Sequence, residues 1–241
     1  MSKLVVLTGA SRGLGLAIAE QLLQQGYQIL AIARSPSEGL TKLQQEAPEQ
    51  LVFMPADLSQ LDTLPELCHA IIKQYGRPYA LINNAAVGHD GILATLHNSQ
   101  INELLNLNLQ APILMSKYLL RSMLLNRSGR IVNISSIVAS TGYNGLSVYA
   151  ASKAGLEGFS RSLAREAGKG GITVNCVAPG YMETEMTSAL QGEKLESVKR
   201  RSAIGRLATP ADAAAMVMYL LSEQASAITG TVMTVDGGST A

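Results

Sequence analysis

The 241-residue sequence is poor in the groups on which several protein classes depend. Its two cysteines, Cys68 and Cys176, read as lying in a helix and an interior strand, with no CxxC pair and no disulfide framework, so a reducing compartment is expected. Three histidines, none in HExxH or paired spacing, leave no basis for a metal centre. A net charge of +1 provides no electrostatic footprint for nucleic acid or an anionic membrane. Any phosphate must therefore be met by local groups. No apolar run approaches the roughly 18 residues of a membrane span, and the N-terminal residues enter a strand without a signal-peptide apolar region, so a cytoplasmic location is expected. Charged residues make up only 15% against 47% apolar, which excludes disorder, describes a compact core with a modest polar shell, and is compatible with surface hidden in an oligomer. Without a repeat, a low-complexity tract or a linker, residues 1–241 read as one domain.

What is present begins with a β-branched and leucine run, Lys3 to Thr8, the mark of a buried parallel strand. It leads into the loop Gly9-Ala10-Ser11-Arg12-Gly13-Leu14-Gly15 and an amphipathic helix, Leu16 to Gln25, stopped by Gly26. Strand, glycine loop and helix form the first unit of a dinucleotide-binding fold. The glycines allow a tight turn and let a phosphate approach backbone N–H groups at the helix N-terminus. The second strand, Gln28 to Ala33, ends at Arg34, where many NAD enzymes carry a carboxylate for the ribose 2′-hydroxyl. Arg34 and Arg12 instead suit a 2′-phosphate, so NADP is expected over NAD.

A polar helix around Glu38 to Ala47 precedes a third strand, Leu51 to Pro55, and then Asp57-Leu58. Asp57 suits either the capping region of the helix that runs to Tyr75 or an adenine edge. Ala80 to Asn83 is a further buried strand, running into Asn84-Ala85-Ala86, where small residues permit close approach of a flat ligand. A helical pattern from about Ser99 to Met123 contains Asn108 four residues before Pro112. Asn108 either mends the hydrogen bond that the proline cannot make or opens the helix toward a water. The fifth strand ends in Ser136, a helix carries Tyr149 and Lys153 to about Gly168, and a sixth strand, Ile172 to Val177, closes on Ala178-Pro179-Gly180. Residues 181–208 read as an excursion over the site, a substrate lid. Thr209 and Pro210 start a last helix as N-cap and first residue, and Thr231 to Val235 forms a final strand. Strands and helices alternate throughout, which predicts an α/β fold of the Rossmann type: a doubly wound, seven-stranded parallel sheet with helices on both faces.

Tyr149 and Lys153 stand i and i+4, so phenol and ammonium project from one helical face. A cation near the phenol oxygen favours the phenolate, and at about 4 Å and an effective dielectric of about 20 the attraction is of order 4 kcal/mol before desolvation. A tyrosine so tuned exchanges a proton with a carbonyl or alcohol oxygen, and Ser136 supplies a hydroxyl to the same oxygen.

The ordered set Thr8-Gly9-x3-Gly13-x-Gly15, Asp57, Asn83-Asn84-Ala85, Asn108, Ser136, Tyr149-x3-Lys153, Pro179-Gly180 and Thr184 resembles the short-chain dehydrogenase/reductase family along essentially the whole chain. The resemblance implies Tyr149 as general acid, Ser136 orienting the carbonyl, Lys153 lowering the tyrosine pKa and holding the nicotinamide ribose, and Asn108 keeping a water in the proton relay. It implies contacts to NADP from Gly9, Ser11, Arg12, Gly13, Leu14, Gly15, Arg34, Asp57, Leu58, Asn84, Ala85, Tyr149, Lys153, Pro179, Gly180, Met182 and Thr184. Within the family the last third is most similar to the 3-oxoacyl-(acyl-carrier-protein) reductases, through Arg165-Glu166, Gly171 to Asn175, Gly205-Arg206 and Ile228 to Gly230. A thioester-linked or small-molecule ketone is then the expected substrate, an acyl-carrier protein a candidate partner, and a homotetramer the expected assembly. Two departures stand out. Ala86 replaces a family glycine, with strain expected if that position needs positive φ. Gly170 stands where a carrier-docking arginine is expected, although its partner matches Arg127.

Overall fold

The computed structural model describes residues 3–182 and 192–241. Among them, seven parallel strands form one sheet: β1 (Leu4–Thr8), β2 (Gln28–Ala33), β3 (Leu51–Pro55), β4 (Ala80–Asn83), β5 (Gly129–Ile134), β6 (Ile172–Pro179) and β7 (Val232–Val235), in the order β3-β2-β1-β4-β5-β6-β7. The helices are α1 (Gly13–Gln24), α2 (Glu38–Glu46), α3 (Leu64–Tyr75), α4 (Asn98–Leu105), α5 (Ala111–Asn126), α6 (Ser147–Ala167), α7 (Glu193–Arg201) and α8 (Pro210–Leu221). The central strands are buried at nearly every position because both faces are covered. On β1, Val5 and Leu7 pack with α1 and α8, whereas Val6 joins Leu81 and the residues of α3, α5 and α6 on the other side. The doubly wound architecture is therefore the expected one.

Strand order reverses between β1 and β4, which pair in register through Val5 with Ala80 and Val6 with Leu81. Loops leaving these two strands in opposite directions open a crevice at their carboxyl ends, the place where such sheets bind ligands.

Two expected elements differ in detail. The helical pattern from Ser99 to Met123 is α4 and α5 separated by a π-turn, Asn106–Gln110, in which the Ala111 N–H reaches back five residues to the Asn106 carbonyl. Pro112 has no N–H to offer residue 108, and the wider turn takes up that mismatch. The fifth strand stops at Ile134, and Ser136 lies beyond it in extended backbone (φ −164°) as the cap of a short 3-10 turn, Ile137–Ala139. The start of α8 is as expected: Thr209 is its N-cap with Pro210 in the first turn, and Asp212 completes a reciprocal capping box.

Of the segment read as a lid, residues 183–191, including Thr184, lie outside the described residues. Its far end is anchored. The Ser202 hydroxyl donates within reach of the carbonyls of Arg206 (2.6 Å) and Gly237 (2.9 Å), and a Cβ at Gly237 would meet that hydroxyl at 2.5 Å.

Candidate active site

The glycine loop fits an anion by what it leaves open. Arg12 is the N-cap of α1 in extended backbone with no side-chain cap, and the first turn holds no acidic residue, so the leading N–H groups and the positive end of the helix dipole stay available. Gly13 has φ +54°, and a Cβ at Gly15 would meet the Gly9 carbonyl oxygen at 2.0 Å. Gly9, at φ +66°, similarly brings its backbone against Ala85, where a Cβ would meet the Cα at 2.7 Å. These positions admit only glycine, and the backbone cradle suits a pyrophosphate. Ser11 and Leu14 belong to the same loop and first turn.

Asn84 ties this loop to the end of β4. Its amide donates to the carbonyls of Thr8 (3.1 Å) and Gly9 (3.0 Å), while the Thr8 hydroxyl accepts the N–H groups of Asn84 (3.0 Å) and Ala85 (3.1 Å). Ala86 is free of the expected strain, since Arg127 is the one non-glycine residue at positive φ among the described residues. Arg34 is exposed at the end of β2. The Asp57 carboxylate accepts from the Ser59 N–H (3.0 Å) and hydroxyl (2.7 Å), and its pKa is lowered chiefly by that hydroxyl, with Arg34 helping. Asp57 thus braces the turn before α3, while Leu58 is buried beneath it. Across the crevice, Gly180 closes against Asp236, whose Cβ an added side chain would meet at 2.6 Å, and Pro179 ends β6. Met182 packs on the α1/α8 side of the core.

Ser136, Tyr149 and Lys153 come together at the carboxyl end of β5. The Ser136 hydroxyl lies beside the Tyr149 phenol, and the Lys153 ammonium, 2% exposed, donates to the Ile134 carbonyl at 2.8 Å while lying 5.6 Å from the Tyr149 ring centroid. The expected direction of tuning is reversed. Burial pushes the phenol up to about 12, against the opposing pull of the neighbouring Ser136 hydroxyl, and burial brings the ammonium down to about 8. Desolvation outweighs attraction because the lysine directs its ammonium to a backbone carbonyl. The phenol therefore keeps its proton at neutral pH, the state in which it can donate one.

Asn108 is fully buried in the π-turn, and its side chain bonds outside its own helix instead of mending it. Its amide donates to the Val87 carbonyl (2.9 Å) and its carbonyl accepts the Val87 N–H (2.8 Å), with Ser152 Oγ at 3.4 Å on the helix of Tyr149. It fastens the loop after β4 to α6.

Sequence reasoning missed the polar chain behind the site. Asn83 donates to Asn133 (2.7 Å) and Asn133 donates to Ser160 (2.8 Å), which the Cys176 sulfur meets at 3.1 Å. An asparagine at or next to the carboxyl end of each of two buried strands was the available signal, because such groups require partners.

A hydroxyl pair able to pass a proton to a carbonyl oxygen, two strands from a dinucleotide cradle, is the working arrangement of a nicotinamide-dependent oxidoreductase. The family model described as Enoyl-(Acyl carrier protein) reductase matches residues 9–240. The chain is 36% identical to the 3-oxoacyl-(acyl-carrier-protein) reductase of Vibrio harveyi over 236 residues, covering 98% of this chain and 96% of that one. It is 38% identical to the same reductase of Haemophilus influenzae over 238 residues, with 98% and 97% covered. A crystal structure of a putative NAD(P)-dependent gluconate 5-dehydrogenase from Beutenbergia cavernae superimposes with a TM-score of 0.92 at 32% identity, covering 98% and 96%. The chain belongs to the short-chain dehydrogenase/reductase family, and it is an oxidoreductase.

Proposed function

We propose that this protein is an NADPH-dependent ketoreductase that converts a 3-oxoacyl thioester to the 3-hydroxyacyl form. The observation that carries the reading is the placement of the Tyr149 phenol beside the Ser136 hydroxyl and the buried Lys153 ammonium. Arg34, Arg12 and the glycine loop would hold the adenosine phosphates, with Asn84, Ala85, Pro179, Gly180 and Lys153 around the nicotinamide half. Bound there, the dinucleotide supplies a hydride equivalent to the ketone carbon.

The protein's own part is proton delivery and orientation. Ser136 and Tyr149 present two hydroxyls to the carbonyl oxygen, which polarises it and fixes its face. As negative charge develops on that oxygen, Tyr149 gives up its proton. The Lys153 cation offsets the phenolate left behind, an electrostatic role that grows only as the reaction proceeds. Asn108 holds the Tyr149 helix against the loop after β4, so that the two hydroxyls keep their spacing.

The 3-oxoacyl substrate rests on the two reductases of that name, and the carrier is the less supported half. A Cβ at Gly170 would meet Leu124 Cδ2 at 2.3 Å, so an arginine there would require Leu124 to move, leaving exposed Arg127 as the docking residue. Coenzyme A thioesters are therefore included with carrier-protein thioesters. The structural likeness to a protein described as a gluconate 5-dehydrogenase supports a second reading, a sugar-acid ketone. A homotetramer packed through α5, α6 and the C-terminal segment is part of the proposal, supported by Leu124 and Leu125 (66% exposed) on the last turn of α5.

The test is NADPH oxidation with acetoacetyl thioesters on both handles and with 5-ketogluconate. The thioesters are expected to react faster, and the reverse ranking would move the substrate to the sugar acids. Tyr149→Phe should lower kcat by at least about a thousandfold with NADPH affinity retained, and an active phenylalanine variant would reject Tyr149 as the acid.

A further inference from the structure

Three consecutive residues at the end of β5 meet three residues spaced by four along α6. The Ile134 carbonyl takes the Lys153 ammonium at 2.8 Å, the Ser135 hydroxyl donates to Glu157 Oε1 at 2.7 Å, and the Ser136 hydroxyl lies beside the Tyr149 phenol. Tyr149, Lys153 and Glu157 are i, i+4 and i+8, one stripe on one helical face. Two rungs of this ladder belong to the proposed chemistry. The third does not, yet it is the one built from a charged acceptor away from the reacting atoms.

Its surroundings make the bond effective. Ser135 is buried at 3%, its N–H is held by the Val177 carbonyl of β6 at 2.7 Å, and its hydroxyl also lies 3.5 Å from the Lys153 carbonyl. The Glu157 side chain is only 12% exposed, and its other oxygen has Arg161 at 3.8 Å, a long contact to a half-exposed guanidinium. The short bond to Ser135 is therefore its main anchor. A charge-assisted hydrogen bond in a site shielded from water is short and directional. It sets how α6 lies along the end of β5, one residue from Ser136 and one turn from Lys153.

We propose that Glu157 is a positioning residue of this enzyme. Through Ser135 it fixes the offset between β5 and α6, and so the separation of the Ser136 and Tyr149 hydroxyls that share the substrate oxygen. The inference rests on the reading of Tyr149 as proton donor. An error of about 1 Å in such spacing is enough to cost on the order of a hundredfold in rate, whereas groups that only grip the dinucleotide lie on other strands.

The experiment uses the full chain and follows NADPH oxidation with an acetoacetyl thioester. Glu157→Ala and Ser135→Ala should each lower kcat by roughly 10- to 100-fold with the KM for NADPH within about twofold of the starting value. Glu157→Gln, whose amide oxygen still accepts from Ser135, should stay within about threefold, and the double alanine variant should be no worse than either single one, because both remove the same bond. If Glu157→Ala fails to fold, Ser135→Ala and Glu157→Gln still decide the matter. The inference is overturned if both alanine variants lose stability but keep kcat, if Glu157→Gln falls as far as Glu157→Ala, or if the two alanine effects multiply. Tyr149→Phe run alongside separates the two levels: an active Tyr149→Phe rejects the proton donor itself, while an inactive one beside a fully active Glu157→Ala rejects only the positioning role.

Discussion

Replacing Asn108 by alanine tests whether the π-turn is held by side-chain chemistry. The carboxamide is fully buried and makes two short bonds to Val87, one as donor and one as acceptor. Each such bond contributes about 1 kcal/mol net, and leaving a buried polar group unpaired costs about 1–3 kcal/mol. Val87 is only partly buried, so solvent reaches some of what is exposed, and a loss of about 2–4 kcal/mol follows for Asn108→Ala. For a chain of this size that is a fall in Tm of roughly 5–15 °C. Urea titration with a constant m-value and a thermal scan measure it directly. Asn108→Asp sharpens the test, since a carboxylate retains the acceptor for the Val87 N–H but sets a second oxygen against the Val87 carbonyl. That carboxyl can donate only when protonated, so its folded-state pKa must lie above the usual carboxylate value of about 3.9. A raised folded pKa means stability present at low pH and lost as pH rises, so Asn108→Asp should recover toward the native protein below about pH 4 and be weakest at neutrality. A loss under about 0.5 kcal/mol for alanine, or a pH-independent penalty for aspartate, would refute the argument that these two bonds hold the loop.

Three further outcomes are expected. Arg34→Ala should raise the KM for NADPH at least about tenfold, as expected for a lost charge-assisted phosphate contact, with the KM for NADH little changed; an unaltered ratio removes Arg34 from the 2′-phosphate site. Gly15→Ala places a Cβ 2.0 Å from the Gly9 carbonyl oxygen, so the first turn of α1 must shift, and the dissociation constant for NADPH measured by fluorescence titration should rise far more than stability falls. Burial lowers Lys153 from 10.5 to about 8, so the unfolded chain binds the extra proton between those values and native stability gains relative to Lys153→Met across that window, by on the order of 3 kcal/mol. Taking the difference removes Cys68, Cys176 and Tyr149, whose raised values act in the opposite sense; a constant difference from pH 8 to 10.5 would show that Lys153 is not desolvated.

The sequence alone determined the alternation of strands and helices, the glycine cradle and the spacing of Tyr149 and Lys153, because each is local. A fully buried strand must be apolar on both faces, a loop against backbone must be glycine, and i and i+4 share a face wherever the helix lies. It could not determine what those groups meet. Whether Lys153 would reach the phenol or the Ile134 carbonyl, whether Asn108 would mend its own helix or clasp Val87, and whether Ala86 would be strained depended on partners 19 and 21 residues away or on backbone angles set by packing. The sign of the Tyr149 shift followed from the same cause. Desolvation is a property of the folded interior, so only the tertiary structure could show that it outweighs the attraction between two side chains four residues apart.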